Sequence, residues 1–152
     1  MAAFIFRPQP ALDLRWREAD AAQLAVAEAR VISDRAAYLF AEAQAAFEAG
    51  SARAAALDAA GESITDVIWH RNWIRSLRRE LVRTEANAED RRVQLEAAEQ
   101  ALVAARERVK ALEWLKERAV AAHQERERRE EQKAMNELAT LRFAIRQRSE
   151  PS

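Results

Sequence analysis

Acid–base or metal chemistry in this 152-residue chain would have to start from its two histidines, His70 and His123. A metal needs three or four Cys, His or carboxylate ligands converging on one point. The chain has no cysteine, and neither histidine has neighbours at a spacing that builds such a set. No metal site is expected. Nucleophilic catalysis needs a hydroxyl beside a base that is itself oriented by an acid, yet Ser33, Ser51, Ser63 and Ser76 stand in no such pattern. A glycine-rich phosphate loop is also missing. Carboxylates that share a helix face occur as solvated charge, so no catalytic residue and no cofactor is expected, and the chain is not read as an enzyme.

The elements that carry these residues explain why. Only two glycines and three prolines punctuate the chain, and none lies between Glu62 and Glu150. The reading is all-α, with two long helices forming an antiparallel coiled-coil hairpin whose second helix is much longer than the first. After an extended leader ending at Pro8 and Pro10, helix A is expected over about residues 11–49 with Gly50 as its stop. A short connector covers 50–62, and helix B covers about 63–147 with Ser63 as its cap. At 1.5 Å per residue helix B spans on the order of 125 Å. All 152 residues are read as this single hairpin.

Heptad spacing sets the seam. In helix A, Ala22, Ala29, Ala36 and Ala43 are seven apart, and Ala25, Ile32, Leu39 and Ala46 follow each by three. In helix B, the line Val67, Ile74, Leu81, Ala88, Leu95, Leu102 and Val109 is accompanied three residues later by Leu77, Thr84, Ala98, Ala105 and Leu112, with Arg91 interrupting. Beyond Leu112 the spacing is read as slipping to Leu115, Ala119 and Ala122. Residues 124–133 then form a charged run, a solvated helix surface. Folding the helices about mid-connector places residue i opposite roughly 112 − i. Ile32 then meets Leu81, Leu39 meets Trp73 and Leu12 meets Leu102. Some forty residues of helix B are left over, carrying Val109, Leu112, Leu115, Met135, Leu138, Leu141 and Ile145 with no intramolecular partner.

Aromatic residues gather at the closed end. Tyr38, Phe40 and Phe47 fall late in helix A and Trp69 and Trp73 early in helix B. Phe40 and Phe47 lie one position beyond the expected seam, so the cluster is either a contact patch or a small core under the connector. Trp16 and Trp114, near the open end, are read as packing residues. Lys plus Arg and Asp plus Glu are equal at 25 each, without the excess of positive charge that a nucleic-acid groove needs. No signal peptide or membrane-spanning run is seen, which points to a cytoplasmic protein.

Three stretches of the chain resemble the FliJ family of flagellar export proteins, which has relatives in virulence type III secretion. Phe6-Arg7, Leu12-Asp13-Leu14-Arg15 and Glu18-Ala19-Asp20-Ala21-Ala22 are similar to the family's opening. The run from Ala105 to Arg118 is similar to its Ala-Arg-x-x-x-Lys-x-Leu-Glu-x-Leu-x-Glu-Arg pattern, and Glu130 to Glu137 to its Glu-x-Lys-x-x-Asp-Glu, with Asn136 in place of the Asp. The resemblance implies a stalk-like hairpin without enzymatic activity, peripheral to the membrane through its partners only. It would be recruited to the cytoplasmic face of the inner membrane at the flagellar base.

The open end would enter the ring of the export ATPase and promote its assembly and activity. Leu12, Trp16, Leu112, Leu115, Met135, Leu138, Leu141 and Ile145 are the expected contacts. A patch early in helix B would meet the cytoplasmic region of the export gate, where Trp73-Ile74-Arg75-Ser76-Leu77 is similar to the family's Phe-Ile-x-x-Leu. Glu80 and Thr84 continue that patch, and Phe40, Ala43 and Phe47 face it from helix A. Export chaperones are a further partner class, nucleic acid is not, and the isolated chain is expected to be monomeric. Two alternatives come from other classes: a virulence-secretion stalk, or a structural coiled coil that self-associates through the overhang.

Overall fold

The computed structural model describes residues 3–149. Two helices account for nearly all of them, α1 (Gln9–Ala59) and α2 (Ile64–Ser149), and no strand occurs among the described residues. α1 and α2 pack antiparallel, and α2, at 86 residues, is much longer than α1, at 51.

A four-residue turn joins them. The amide of Ala60 donates to the Leu57 carbonyl (3.1 Å) and that of Gly61 to the Asp58 carbonyl (3.3 Å), tightening the last turn of α1. Gly61 takes φ +77°, a left-handed conformation that side chains resist. Ser63 then caps α2 as expected: its Oγ accepts the Asp66 amide (3.3 Å) and donates to the Asp66 carboxylate (2.6 Å).

Gly50, the expected helix stop, is instead buried within continuous α1. A Cβ there would stand 2.7 Å from Leu77 Cδ1 and 3.4 Å from the Trp73 ring. Glycine serves here as a notch for close helix approach, at a cost in helix propensity of about 1 kcal/mol relative to alanine. Because the helix runs on to Ala59, the fold-back point moves towards Gly61 and the register moves with it.

By its internal contacts the chain divides into two units, one of Arg17–Arg106 and the other of the N-terminal residues through Trp16 together with Glu107 onward. In the first, Arg30 bonds Glu99 (2.9 Å) and Gly50 lies against Leu77, so residue i stands opposite roughly 127 − i rather than 112 − i, as in any hairpin whose fold-back point lies later in the chain. The pairings of Ile32 with Leu81 and of Leu39 with Trp73 do not form. The change is close to two whole heptads, which leaves the seam of α2 in phase.

That seam follows both expected lines of α2: Val67, Ile74, Leu81, Ala88, Leu95 and Leu102 with Leu77, Thr84, Ala98 and Ala105 are half-buried or buried, and Arg91 keeps the rhythm half-buried. In α1 only one line is as expected. Ala22, Ala29, Ala36 and Ala43 face inward, but the companion line is Val26, Ser33, Phe40, Phe47 and Ala54, four residues later rather than three. Ala25, Ile32 and Ala46 are exposed. A step of three or four after an alanine is equally good heptad grammar, and the line carrying Phe40 and Phe47 buries more apolar area.

In the second unit Leu12 is fully enclosed, worth roughly 2 kcal/mol of burial. It groups with the residues from Glu107 onward, whereas the expected partner Leu102 belongs to the first unit. Gln9 accepts from Lys116 Nζ (2.9 Å) and donates to Asp13 (2.9 Å), while Trp16 Nε1 donates to Glu113 (3.0 Å). Val109 and Leu112 belong to this packing, with Val109 buried. The spacing does not slip after Leu112. The half-buried positions continue through Lys116, Ala119 and His123, leaving Leu115 and Ala122 exposed. Polar residues occupy heptad positions there, which hides the repeat from an apolar count.

Candidate functional site

Among the exposed apolar side chains, two groups stand out. The first lies where α2 begins. Ile64, Ile68 and Trp69 are 81%, 55% and 62% exposed, although each would contribute a large buried area in a core. None falls on a heptad line of α2, so the backbone holds them off the seam. The Trp69 ring stacks on Trp73 at 6.2 Å and meets His70 edge-on at 5.3 Å. His70 turns into the seam, with Nε2 3.1 Å from a Glu62 carboxylate oxygen and Nδ1 buried without a hydrogen bond.

The expected gate residues divide by position. Trp73 and Leu77 are half-buried against Gly50, and Phe47 is half-buried under the Arg78 guanidinium at 5.6 Å. Ala43 and Thr84 are buried in the seam. The Thr84 hydroxyl donates to the Glu80 carbonyl (2.8 Å) and lies 3.0 Å from that of Leu81. The structure therefore places Ala43 and Thr84 away from solvent, where they shape the helix spacing. Phe40 lines a shallow groove with Ser33, Ala37, Val82, Glu85 and Ala86. Glu80 is exposed and held by Arg83, whose Nε and Nη2 reach its two oxygens at 3.0 and 2.5 Å, and this hydrogen bonding keeps its carboxyl below the ordinary range. Tyr38 is pushed the other way by the carboxylate of Glu42.

The second surface lies along the end of α2. The leader residues Phe4 to Pro8 lie over Ala119, Ala122, Glu125, Arg126 and Arg129, and the Phe4 ring meets His123 at 5.4 Å. His123 Nε2 is 3.2 Å from Glu127. Each histidine thus has one carboxylate neighbour that the sequence reading did not assign, but no cluster of three candidate metal ligands exists among the described residues. Trp114 is 54% exposed with the Arg118 guanidinium over its ring at 4.6 Å.

From residue 128 to 149 every side chain is exposed. Met135, Leu138, Leu141, Phe143 and Ile145 stand there at 53–66%. Of the expected ring contacts, Met135, Leu138, Leu141 and Ile145 are open, Trp16, Leu115 and half-buried Leu112 are partly available, and Leu12 is enclosed. The free overhang is about half the forty residues expected, because the later fold-back and the leader together cover α2 as far as His123. Phe143 was missed because it lies off the stripe.

This pattern can be set beside known proteins. A sequence model of the family described as "Flagellar FliJ protein" matches residues 7–148. The chain belongs to that family. A search of curated proteins returned no match. A solved structure of a YscO homolog from Chlamydia trachomatis is similar in fold, with a TM-score of 0.61 and 17% identity, covering 97% of this chain and 100% of that one. As a FliJ-family member, the chain is a structural component of the flagellar type of protein export. No helix among the described residues is long and apolar enough to cross a membrane.

Proposed function

We propose that this FliJ-family chain is a non-enzymatic stalk that promotes assembly and activity of the export ATPase ring and links the ring to the cytoplasmic region of the export gate. The observation that carries the reading is the exposed end of α2, residues 128–149, with four apolar side chains on one face that no other described residue covers. A helical tip of this kind suits insertion into a ring whose inner wall supplies the missing contacts. The gate contact is assigned to the other surface. Its centre is the Trp69–Trp73 stack with Ile68.

Stimulation of a cognate export ATPase, measured beside binding to a soluble gate fragment, tests the assignment. Leu138, Leu141 and Ile145 changed together to Ser should reduce stimulation by about tenfold or more and leave gate binding within about twofold. Trp69→Ala with Ile68→Ala should do the reverse. Equal loss of both activities in both variants, with helicity unchanged, would contradict two separate sites.

A further inference from the structure

The exposed end of α2 bears a stripe that is complementary to itself. Glu131, Ala134, Leu138, Leu141, Ile145 and Arg148 follow one another at steps of three and four, which at 3.6 residues per turn sets all six within about 100° of arc. The stripe pairs off about its midpoint: Leu138 with Leu141, Ala134 with Ile145, Glu131 with Arg148. We infer that this face is the seam of a two-fold antiparallel coiled coil formed with the same segment of a second copy of the chain.

Charge selects the direction. In the antiparallel register both outer layers bring the Glu131 carboxylate of one copy to the Arg148 guanidinium of the other, a pairing that is made twice by symmetry. A parallel register would put Glu131 on Glu131 and Arg148 on Arg148. Size agrees with charge, since Ala134 faces the branched Ile145 and two leucines meet at each central layer. The leucines and Ile145 are 53–66% exposed in the single chain, so covering six layers on two helices removes on the order of 1,000 Å² from water, at the lower bound for a specific interface. Association is therefore weak and dissociable, with a Kd on the order of tens of micromolar. Such a dimer shields the tip while it is free and yields to any partner that offers a larger surface. The inference does not depend on what that partner is.

The absence of cysteine lets single thiols report the register in the full-length chain. Ala134→Cys and Ile145→Cys proteins, mixed under mild oxidation, should give the mixed disulfide. Either alone should give little, because the same position on two antiparallel copies is about 16 Å apart along the axis. Sedimentation equilibrium should show a concentration-dependent dimer that Glu131→Arg or Arg148→Glu weakens by about fivefold or more, while E131R/R148E restores it to within about twofold. Circular dichroism of each variant confirms that the helices persist. A chain that stays monomeric to several hundred micromolar, equal cross-linking by each single-cysteine protein alone, or a double swap as weak as the single changes would overturn the inference.

Discussion

At the scale of single residues, small side chains decide how closely the helices approach. Gly50, Ala36, Ala43 and Ala54 are all buried on the seam lines of α1, so the seam gains contact by proximity rather than by bulk. Gly50 permits a sharp comparison. Alanine there recovers up to about 1 kcal/mol of helix propensity but displaces the end of the Leu77 side chain. Urea unfolding should show Gly50→Ala within about 1 kcal/mol of wild type and Gly50→Val less stable by about 1–3 kcal/mol, since the added methyls meet Trp73 as well. A Gly50→Val protein as stable as wild type would mean that the notch is not filled in solution. Thr84 is the other instructive residue. Its hydroxyl is satisfied by its own helix, so burial there costs little, and Thr84→Val should change stability by less than about 1 kcal/mol.

At the scale of elements, α2 is held by different forces along its length. Through the hairpin it rests on α1, whereas the charged turns near residue 125, beside the leader, add side-chain pairs within the helix. Glu125 is bonded by Arg129 (2.9 Å) and by Arg128, and the Arg129 hydrogen bond is the main cause that holds its carboxyl below the ordinary value of 4.5. Glu89, bonded by Arg92, is lowered in the same sense. A carboxyl depressed in the folded helix contributes stability above its unfolded value and loses it as the pH falls through the folded one. Helicity of the terminal third should therefore decline as the pH drops below 4.5, and should also decline at high salt near neutrality, because these pairs are exposed and screened. Far-ultraviolet circular dichroism follows both. A tip whose helicity is insensitive to acid and salt would mean that intrinsic propensity alone sustains it.

At the scale of the molecule, the free end of α2 is separable from the packed remainder. A chain ending at residue 127 should unfold with a midpoint close to that of the full protein, because the side chains of 128–149 are all exposed, yet it should fail to stimulate the export ATPase. A large fall in the unfolding midpoint would place packing where none is seen. Much of this arrangement is legible without coordinates. The absence of breakers between Glu62 and Glu150, the Ser63 cap and the two heptad lines of α2 are local properties of helix geometry, and spacing determines them. The resemblance of Ala105–Arg118 and its flanking motifs to the FliJ family was equally local, and the family match over residues 7–148 agrees with it. Register was not local. Whether Gly50 ends α1 or sits within it depends on Leu77 and Trp73 approaching from the other helix, and that single choice moved the pairing by two heptads. The same dependence on a distant neighbour decided that Phe40 and Phe47 turn inward while Ala25, Ile32 and Ala46 remain outside. Heptad spacing names the face a residue occupies, but only the packed partner determines which of two adjacent faces becomes the seam.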